Sequence, residues 1–229
     1  MRSFLGVLFL WAMAWFSLQA GGEEIIISGG PALRFYERGK QNSHDVYWGN
    51  FIDSATARMS QIRPAMQPDD HLTWLIFRPA YERRAREEKL NLINIIEVKA
   101  QALGISLIWF NTRDELISYF NKRDASLPIT RLEYFGHSNR RCWMFDYSNR
   151  LDGSCVEAFV LHQDNFSKIS RKAFSPSAYC RSWGCHSGEE YSAYWQTTIG
   201  IPMVGAIGKT DYSRGGLPFL STLGGRWTE

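Results

Sequence analysis

The chain has 229 residues, of which 45% are hydrophobic, 14% aromatic and 21% charged. This composition is typical of a globular protein with a substantial core, and it argues against disordered, collagenous and repeat proteins. Lysine and arginine number 26 and aspartate and glutamate 23, so the net charge is only +3. A nucleic-acid partner is not favoured, because nucleic-acid-binding proteins carry a concentrated basic surface.

The first twenty residues have the pattern of a secretory signal peptide. Arg2 precedes an apolar stretch from Phe4 to Phe16, and a small residue, Ala20, lies at the expected cleavage point. The stretch is short for a bilayer span, although an uncleaved anchor is the alternative interpretation. We therefore predict a signal peptide over residues 1–20 and a single domain over 21–229, without a membrane partner after cleavage. The predicted location is secreted or periplasmic, in an oxidising compartment.

Strand and helix patterns alternate through the first half of the mature chain. Short apolar runs bounded by turn residues predict strands at Ile25–Ile27, Leu72–Phe77 and Ile105–Phe110. Helical spacing of apolar residues predicts one helix over 43–62 and a second over 84–103, ending at Gly104. These alternations favour crossovers between parallel strands.

The second half continues the alternation around one irregular segment. Thr112 and Glu115 form a capping-box pattern that starts a short helix to about Lys122, and a strand is predicted at Ile129–Phe135. Residues 140–175 suggest a hairpin and then a helix over 165–173. A strand over 178–183, a helix over 188–198 and a strand over 203–207 follow. The predicted fold class is α/β, a three-layer sandwich with a mostly parallel sheet and helices on both faces.

His137 and Cys185 each follow an apolar strand. In a parallel sheet both would project from the carboxyl edge, where ligands and catalytic groups gather. A histidine within hydrogen-bond reach activates a thiol nucleophile. Ser187 and Glu190 fit a second capping box, which would place a positive helix end beside the sulfur. The backbone amides of Gly184 and Cys185 would form an oxyanion hole.

These motifs resemble a known peptidase group. The chain has Phe135-Gly136-His137-Ser138, then Cys185-His186-Ser187-Gly188, then an apolar strand running into residues 209–213. The 48 residues from position 137 to position 185 match the spacing in caspases. The segment 72–213 therefore resembles the caspase-like cysteine peptidases, which include caspases, legumains, gingipains and separase-related domains.

The resemblance implies a caspase-like fold and peptide-bond cleavage through an acyl-enzyme, without a cofactor or metal. His137 would act as general base and acid, Cys185 as nucleophile, and a peptide or protein would be the substrate. Ser138 stands where the family has a glycine whose amide contributes to the oxyanion hole, and Gly184 is the small residue before the cysteine. Asp211, after the last strand, would line the specificity pocket and favour a basic side chain. Its alternative role is that of a turn residue.

Other interpretations of the same residues remain open. The four cysteines would form two local disulfides, Cys142 to Cys155 and Cys180 to Cys185, although the second pair has poor geometry. Cys180 is otherwise a small buried hydrophobe. His186 is either a supporting contact of the site or a solvated residue.

Two further functions compete with the peptidase. Residues 136–140 are similar to the Gly-x-Ser-x-Gly elbow of α/β-hydrolases, with Ser138 as nucleophile, Asp164 as acid and His186 as base. Arg140 stands where that elbow has a glycine. A non-catalytic binding module is the third interpretation, in which tryptophans near polar loops form a binding platform. Those tryptophans are Trp48, Trp143, Trp183 and Trp195.

Overall fold

The computed structural model describes residues 21–31, 46–124, 126–147 and 156–229. The predicted signal peptide, the first part of the predicted helix over 43–62, and Cys155 lie outside these residues. In the part of the chain that the structure describes, no helix is long and apolar enough to cross a membrane.

The described helices and strands follow the alternation expected from the sequence. The strands are β1 (Glu23–Ser28), β2 (His71–Phe77), β3 (Ser106–Phe110), β4 (Ile129–Phe135), β5 (His137–Ser138), β6 (Cys142–Met144), β7 (Val160–His162), β8 (Phe174–Ser182), β9 (Met203–Val204), β10 (Ala206–Ile207), β11 (Thr210–Asp211), β12 (Phe219–Leu220) and β13 (Arg226–Trp227). The helices are α1 (Asn50–Ile62), α2 (Arg78–Glu88), α3 (Leu92–Leu103), α4 (Arg113–Asn121) and α5 (Tyr191–Ile199).

Six strands form the central sheet, in the order β3-β2-β1-β4-β8-β9. Every neighbouring pair in this sheet is parallel. From β1 the chain adds strands first on one side and then, from β4 onward, on the other. This is the order of a doubly wound sheet, in which a crevice opens between the carboxyl ends of the two strands where the direction reverses. Those two strands are β1 and β4.

Helices cover both faces of the sheet. Side chains alternate across it, so Ile25 and Ile27 of β1 lie in one core cluster and Ile26 in the other. Helices α4 and α5 pack on the first face, for example through Phe120 and Trp195. Helices α1, α2 and α3 pack on the second. The prediction of a three-layer α/β sandwich is therefore confirmed.

The predicted helix over 84–103 is wrong, because two helices occupy the region. Pro79 lies in the first turn of α2, where its missing N–H costs no hydrogen bond. Lys89 ends α2 in the left-handed conformation, with φ at 56°. The side chain of Asn91 then accepts a hydrogen bond from the amide of Asn94 and starts α3. Gly104 ends α3 as predicted.

Two other predicted elements differ in the structure. Residues 163–173 form short 3₁₀ turns, because the Asn121 side chain bonds the Lys168 carbonyl and the Ser170 amide and so interrupts the helix. The strand over 203–207 is divided between β9 and β10. A Cβ on Gly205 would lie 2.6 Å from the backbone nitrogen of Gly188, so the chain leaves the sheet there. The predicted hairpin is confirmed as the antiparallel sheet β5-β6-β7.

Candidate active site

The predicted site lies at the carboxyl ends of two neighbouring parallel strands. Tyr134 of β4 is the register partner of Ser182 of β8. His137 follows the end of β4 by two residues, and Cys185 follows the end of β8 by three. The expectation that both would project from one edge of the sheet agrees with this arrangement. The His137 loop also borders the crevice between β1 and β4.

The loops that carry His137 and Cys185 are joined by close contacts. The hydroxyl of Ser138 donates a hydrogen bond of 2.6 Å to the carbonyl oxygen of Cys185. A Cβ on Gly184 would lie 2.2 Å from Ser138 Oγ and 2.8 Å from the carbonyl oxygen of Gly136. Only glycine permits this approach of the two backbones. The expected small residue before the cysteine therefore has a packing reason.

The histidine ring is held between aromatic side chains. It stacks on Tyr147 at 4.8 Å between ring centroids and meets the edge of Phe51 at 4.9 Å. The hydroxyl of Tyr134 donates to the backbone carbonyl of His137 at 2.9 Å. These contacts fix both the ring and the backbone of His137. Sequence reasoning missed Phe51, which lies beside the predicted apolar face of α1.

The sulfur of Cys185 contacts one residue of β11. The backbone N–H of Thr210 donates to Sγ at 3.3 Å, and Thr210 Oγ1 lies 3.5 Å from it. The carbonyl oxygen of Thr210 lies 3.6 Å from Sγ and accepts from the S–H group. Cys185 is half-buried. Sequence reasoning missed Thr210, because nothing in the local pattern marks a residue 25 positions away as a partner.

The thiols of Cys180 and Cys185 are both free, so the alternative of a Cys180 to Cys185 disulfide is wrong. Cys180 is buried, as expected for a small hydrophobe, and burial raises the pKa of its thiol to about 12. It is therefore protonated at neutral pH and a poor nucleophile. The pairing of Cys142 with Cys155 falls outside the described residues.

The second predicted capping box is not formed. Ser187 donates to the carbonyl oxygen of Gly184 at 2.9 Å, and helix α5 begins later, at Tyr191. Glu190 is the N-cap residue of α5 but makes no side-chain cap. The prediction of a helix terminus directly behind Cys185 is therefore wrong. Its physical reason is that the Ser187 hydroxyl stabilises the tight turn after Cys185 instead.

His186 and Asp211 are engaged in turns. His186 has φ at 59°, and its Nδ1 lies 2.5 Å from Glu189 Oε1. This hydrogen bond lowers the pKa of the Glu189 carboxyl. Asp211 is the last residue of β11, so its expected place in a loop after the last strand is wrong; its Oδ1 accepts from the Ser213 amide at 2.7 Å in the turn that follows β11. A role for Asp211 in specificity stays a prediction.

Tyr212 is a site residue that sequence reasoning missed. Its hydroxyl donates to the carbonyl oxygen of Trp183 at 3.0 Å, and its ring meets the edge of Phe51 at 4.7 Å. Burial raises the pKa of this hydroxyl well above 10. Tyr212 thus connects the end of β8 to the aromatic group around His137.

A buried carboxylate, Glu133 of β4, bonds to Trp183, the residue that follows β8. Glu133 is fully buried and accepts from Arg58 at 2.8 Å, from Arg131 at 2.9 Å and from the indole N–H of Trp183 at 2.8 Å. A buried charge with this many donors is well compensated. The network anchors Trp183 immediately before the Gly184-Cys185 turn.

The structure does not assemble the two competing sites. The Ser138 hydroxyl is bonded to Cys185, and an antiparallel strand rather than an elbow helix contains Ser138. The two other proposed members of its triad, Asp164 and His186, bond to His162 and Glu189. Trp143, Trp183 and Trp195 are buried in the core and Trp48 is half-buried, so the four do not form an exposed platform.

Comparison of the sequence with protein-family models gives no match, and comparisons with curated proteins and with solved structures give none either.

Proposed function

We propose that this protein is an exported cysteine endopeptidase of caspase-like type. The observation that carries the proposal is the juxtaposition of the His137 and Cys185 loops, which follow neighbouring parallel strands and are joined by the bond from Ser138 to the Cys185 carbonyl. A histidine and a half-buried thiol at the carboxyl edge of a doubly wound sheet provide the groups that acyl transfer needs.

The proposed reaction proceeds through a thioester. His137 takes the proton of the Cys185 thiol, and the sulfur attacks the carbonyl carbon of the substrate peptide bond. Backbone N–H groups at Gly184 and Cys185 would bind the developing oxyanion. His137 then gives its proton to the leaving amine, and the acyl-enzyme forms. Water attacks the thioester, His137 takes the proton of this water and returns it to the sulfur, and the acid product leaves.

The strand order by itself does not select this function. Doubly wound sheets of this order also bind dinucleotides, through a Gly-x-Gly-x-x-Gly turn after the first strand. At the end of β1 this chain has Ser28-Gly29-Gly30-Pro31, which does not fit that pattern. The proposal therefore rests on the side chains at the edge of the sheet.

The first test is the reactivity of Cys185. We expect brief exposure to iodoacetamide at pH 6 to label Cys185 and not Cys180, because Cys185 is half-buried and is the thiol that the proposed base would ionise, whereas Cys180 is buried and its thiol pKa is raised. Mass mapping of labelled peptides measures this. We expect His137→Ala to lower the labelling of Cys185 and to leave Cys180 unlabelled. An inert Cys185 in the wild-type protein would contradict the thiol mechanism.

Hydrolysis of a fluorogenic peptide library is the second readout of the same proposal. Cys185→Ala and His137→Ala should each lower the rate by about 10³-fold or more. Two matched variants serve as controls. Cys180→Ala removes a thiol from the core, and Ser138→Ala removes the serine nucleophile of the competing hydrolase. Cys180→Ala should keep its activity. Ser138→Ala also removes the bond to the Cys185 carbonyl, so it should lower the rate but leave measurable activity. Loss of hydrolysis in Ser138→Ala together with activity in Cys185→Ala would favour the serine enzyme.

A further inference from the structure

The sulfur of Cys185 is surrounded by the polar groups of one residue. Thr210 presents its N–H at 3.3 Å, its hydroxyl at 3.5 Å and its carbonyl at 3.6 Å. The first two donate to a thiolate, whereas the carbonyl accepts from a neutral thiol. The N–H and carbonyl belong to the backbone, so the hydroxyl is the side-chain group that favours the ionised sulfur.

We propose that Thr210 is a further catalytic residue, which stabilises the Cys185 thiolate through its backbone N–H and its hydroxyl. This inference rests on the proposed function. It gives the thiolate a source of stabilisation other than the helix terminus predicted from the sequence, which lies elsewhere. Hydrogen bonds to a charged group are about twice as strong as bonds between neutral groups.

The fold holds Thr210 in place before any reaction. Thr210 is buried, and as the first residue of β11 it is the register partner of Leu220 in β12. Two residues later, Tyr212 is bonded to the Trp183 carbonyl and packed against Phe51. Donors fixed in this way stabilise charge without reorganising during the reaction.

Among the described residues, Lys209 and Asp211 flank Thr210, and other titratable groups belong to the segments around the sulfur. Tyr212 follows β11 and interacts electrostatically with Cys185. His186 and Glu189 lie in the turn of Cys185 itself and are paired with each other. His137 belongs to the neighbouring loop. None of these groups is changed by a substitution at Thr210, so a change in sulfur ionisation would report on Thr210.

The test is the pH dependence of Cys185 alkylation by iodoacetamide between pH 5 and pH 10. In Thr210→Val we expect the rate at pH 6 to fall about five- to tenfold, because the midpoint rises by up to about one pH unit. At pH 10, well above the pKa of an ordinary thiol, the two rates should converge. Thr210→Ser should restore the wild-type midpoint.

Two further variants make the test specific. Thr222→Val removes the hydroxyl that accepts from the Lys209 amide on the same hairpin, and it should leave the midpoint unchanged. Thr210→Ala, which adds no bulk, should shift the midpoint as Thr210→Val does. The inference would be overturned if the midpoint is unchanged in Thr210→Val and Thr210→Ala. It would also be overturned if Thr210→Ser shifts the midpoint as much as Thr210→Val does.

Failure of the proposed function gives a different result. If peptide hydrolysis is absent, or does not depend on His137, the peptidase is wrong. The midpoint of Cys185 alkylation is measured without a substrate, so it still decides the role of Thr210. A shifted midpoint together with absent hydrolysis would support the thiolate contact and reject the peptidase.

Discussion

At the scale of single residues, the site depends on one close approach. Gly184 lies where a Cβ would be 2.2 Å from Ser138 Oγ and 2.8 Å from the Gly136 carbonyl oxygen. A side chain there forces the loops of His137 and Cys185 apart. The distance between the His137 and Cys185 segments therefore depends on the absence of a side chain at Gly184.

We predict that Gly184→Ala costs about 1–3 kcal/mol or more of unfolding free energy, because overpacking moves the backbone. Urea unfolding measures this cost. Labelling of Cys185 at pH 6 should fall at the same time. In the double variant Gly184→Ala, Ser138→Gly the contact with Ser138 is removed but that with Gly136 remains, so recovery should be partial. A single variant with wild-type stability and reactivity would refute the packing argument.

The sequence located some residues of the site and missed others for a physical reason. His137 and Cys185 were predictable because each polar residue follows an apolar strand, and parallel strands end at one edge. Thr210, Tyr212 and Phe51 were not, since their roles come from contacts between distant parts of the chain. A backbone N–H, such as the donor at Thr210, leaves no signal in residue type.

At the scale of elements, local signals located most helices, but a local capping pattern did not predict where α5 begins. Thr112 caps α4 as predicted, and its hydroxyl accepts from the Glu115 amide. The same pattern at Ser187 and Glu190 fails, because the Ser187 hydroxyl bonds the Gly184 carbonyl instead. The same hydroxyl also accepts from the amide of Ala206. A capping motif is thus decisive only where no other hydrogen bond competes for the hydroxyl.

The break between α2 and α3 predicts how substitutions at two nearby residues, Lys89 and Asn91, change the stability of the protein. Lys89 adopts φ at 56°, which costs a residue with a Cβ about 1 kcal/mol relative to glycine. Lys89→Gly should therefore raise the stability by up to about 1 kcal/mol. Asn91→Ala should lower it by about 1 kcal/mol, because the amide of Asn94 loses its cap.

Chemical unfolding in urea measures both changes. Lys122→Gly is the matched control for Lys89→Gly, because Lys122 also ends a helix but has a negative φ of −90°. It should gain nothing from glycine. Stabilisation by glycine at both positions would show that the left-handed conformation of Lys89 is not the cause.

At the scale of the whole molecule, buried hydroxyls make the fold sensitive to alkali. Tyr81, Tyr134, Tyr191 and Tyr212 are buried, and burial raises the pKa of each well above 10. Burial also raises the pKa of Cys180 to about 12. Tyr134 and Tyr81 use their hydroxyls to hold the His137 and Gly29 carbonyls at the carboxyl edge of the sheet.

We predict that stability falls as pH rises above about 9. In the unfolded chain Cys180 ionises near pH 8.5 and the tyrosines near 10, while the folded state keeps them protonated. The folded state therefore binds more protons at alkaline pH, and each group costs about 1.4 kcal/mol per pH unit above its unfolded pKa until the folded pKa is reached. Below pH 8 these groups are protonated in both states, so they do not make the unfolding free energy depend on pH.

Urea midpoints at pH 8, 9, 10 and 11 measure this decline. Absorbance at 295 nm records tyrosinate in the same samples, and tyrosinate from the four buried residues should appear only as far-UV circular dichroism is lost. Ionisation of all tyrosines in a fully folded protein would contradict the prediction.

The sequence by itself determined the layered α/β class and the edge of the sheet where His137 and Cys185 lie. Both follow from local patterns, because apolar runs set strands, helical spacing sets helices, and strand ends set loops. Tertiary structure alone decided the strand order, the division at Gly205 and the partner of the Cys185 sulfur. These features depend on contacts between residues far apart in the chain, and no local pattern contains that information.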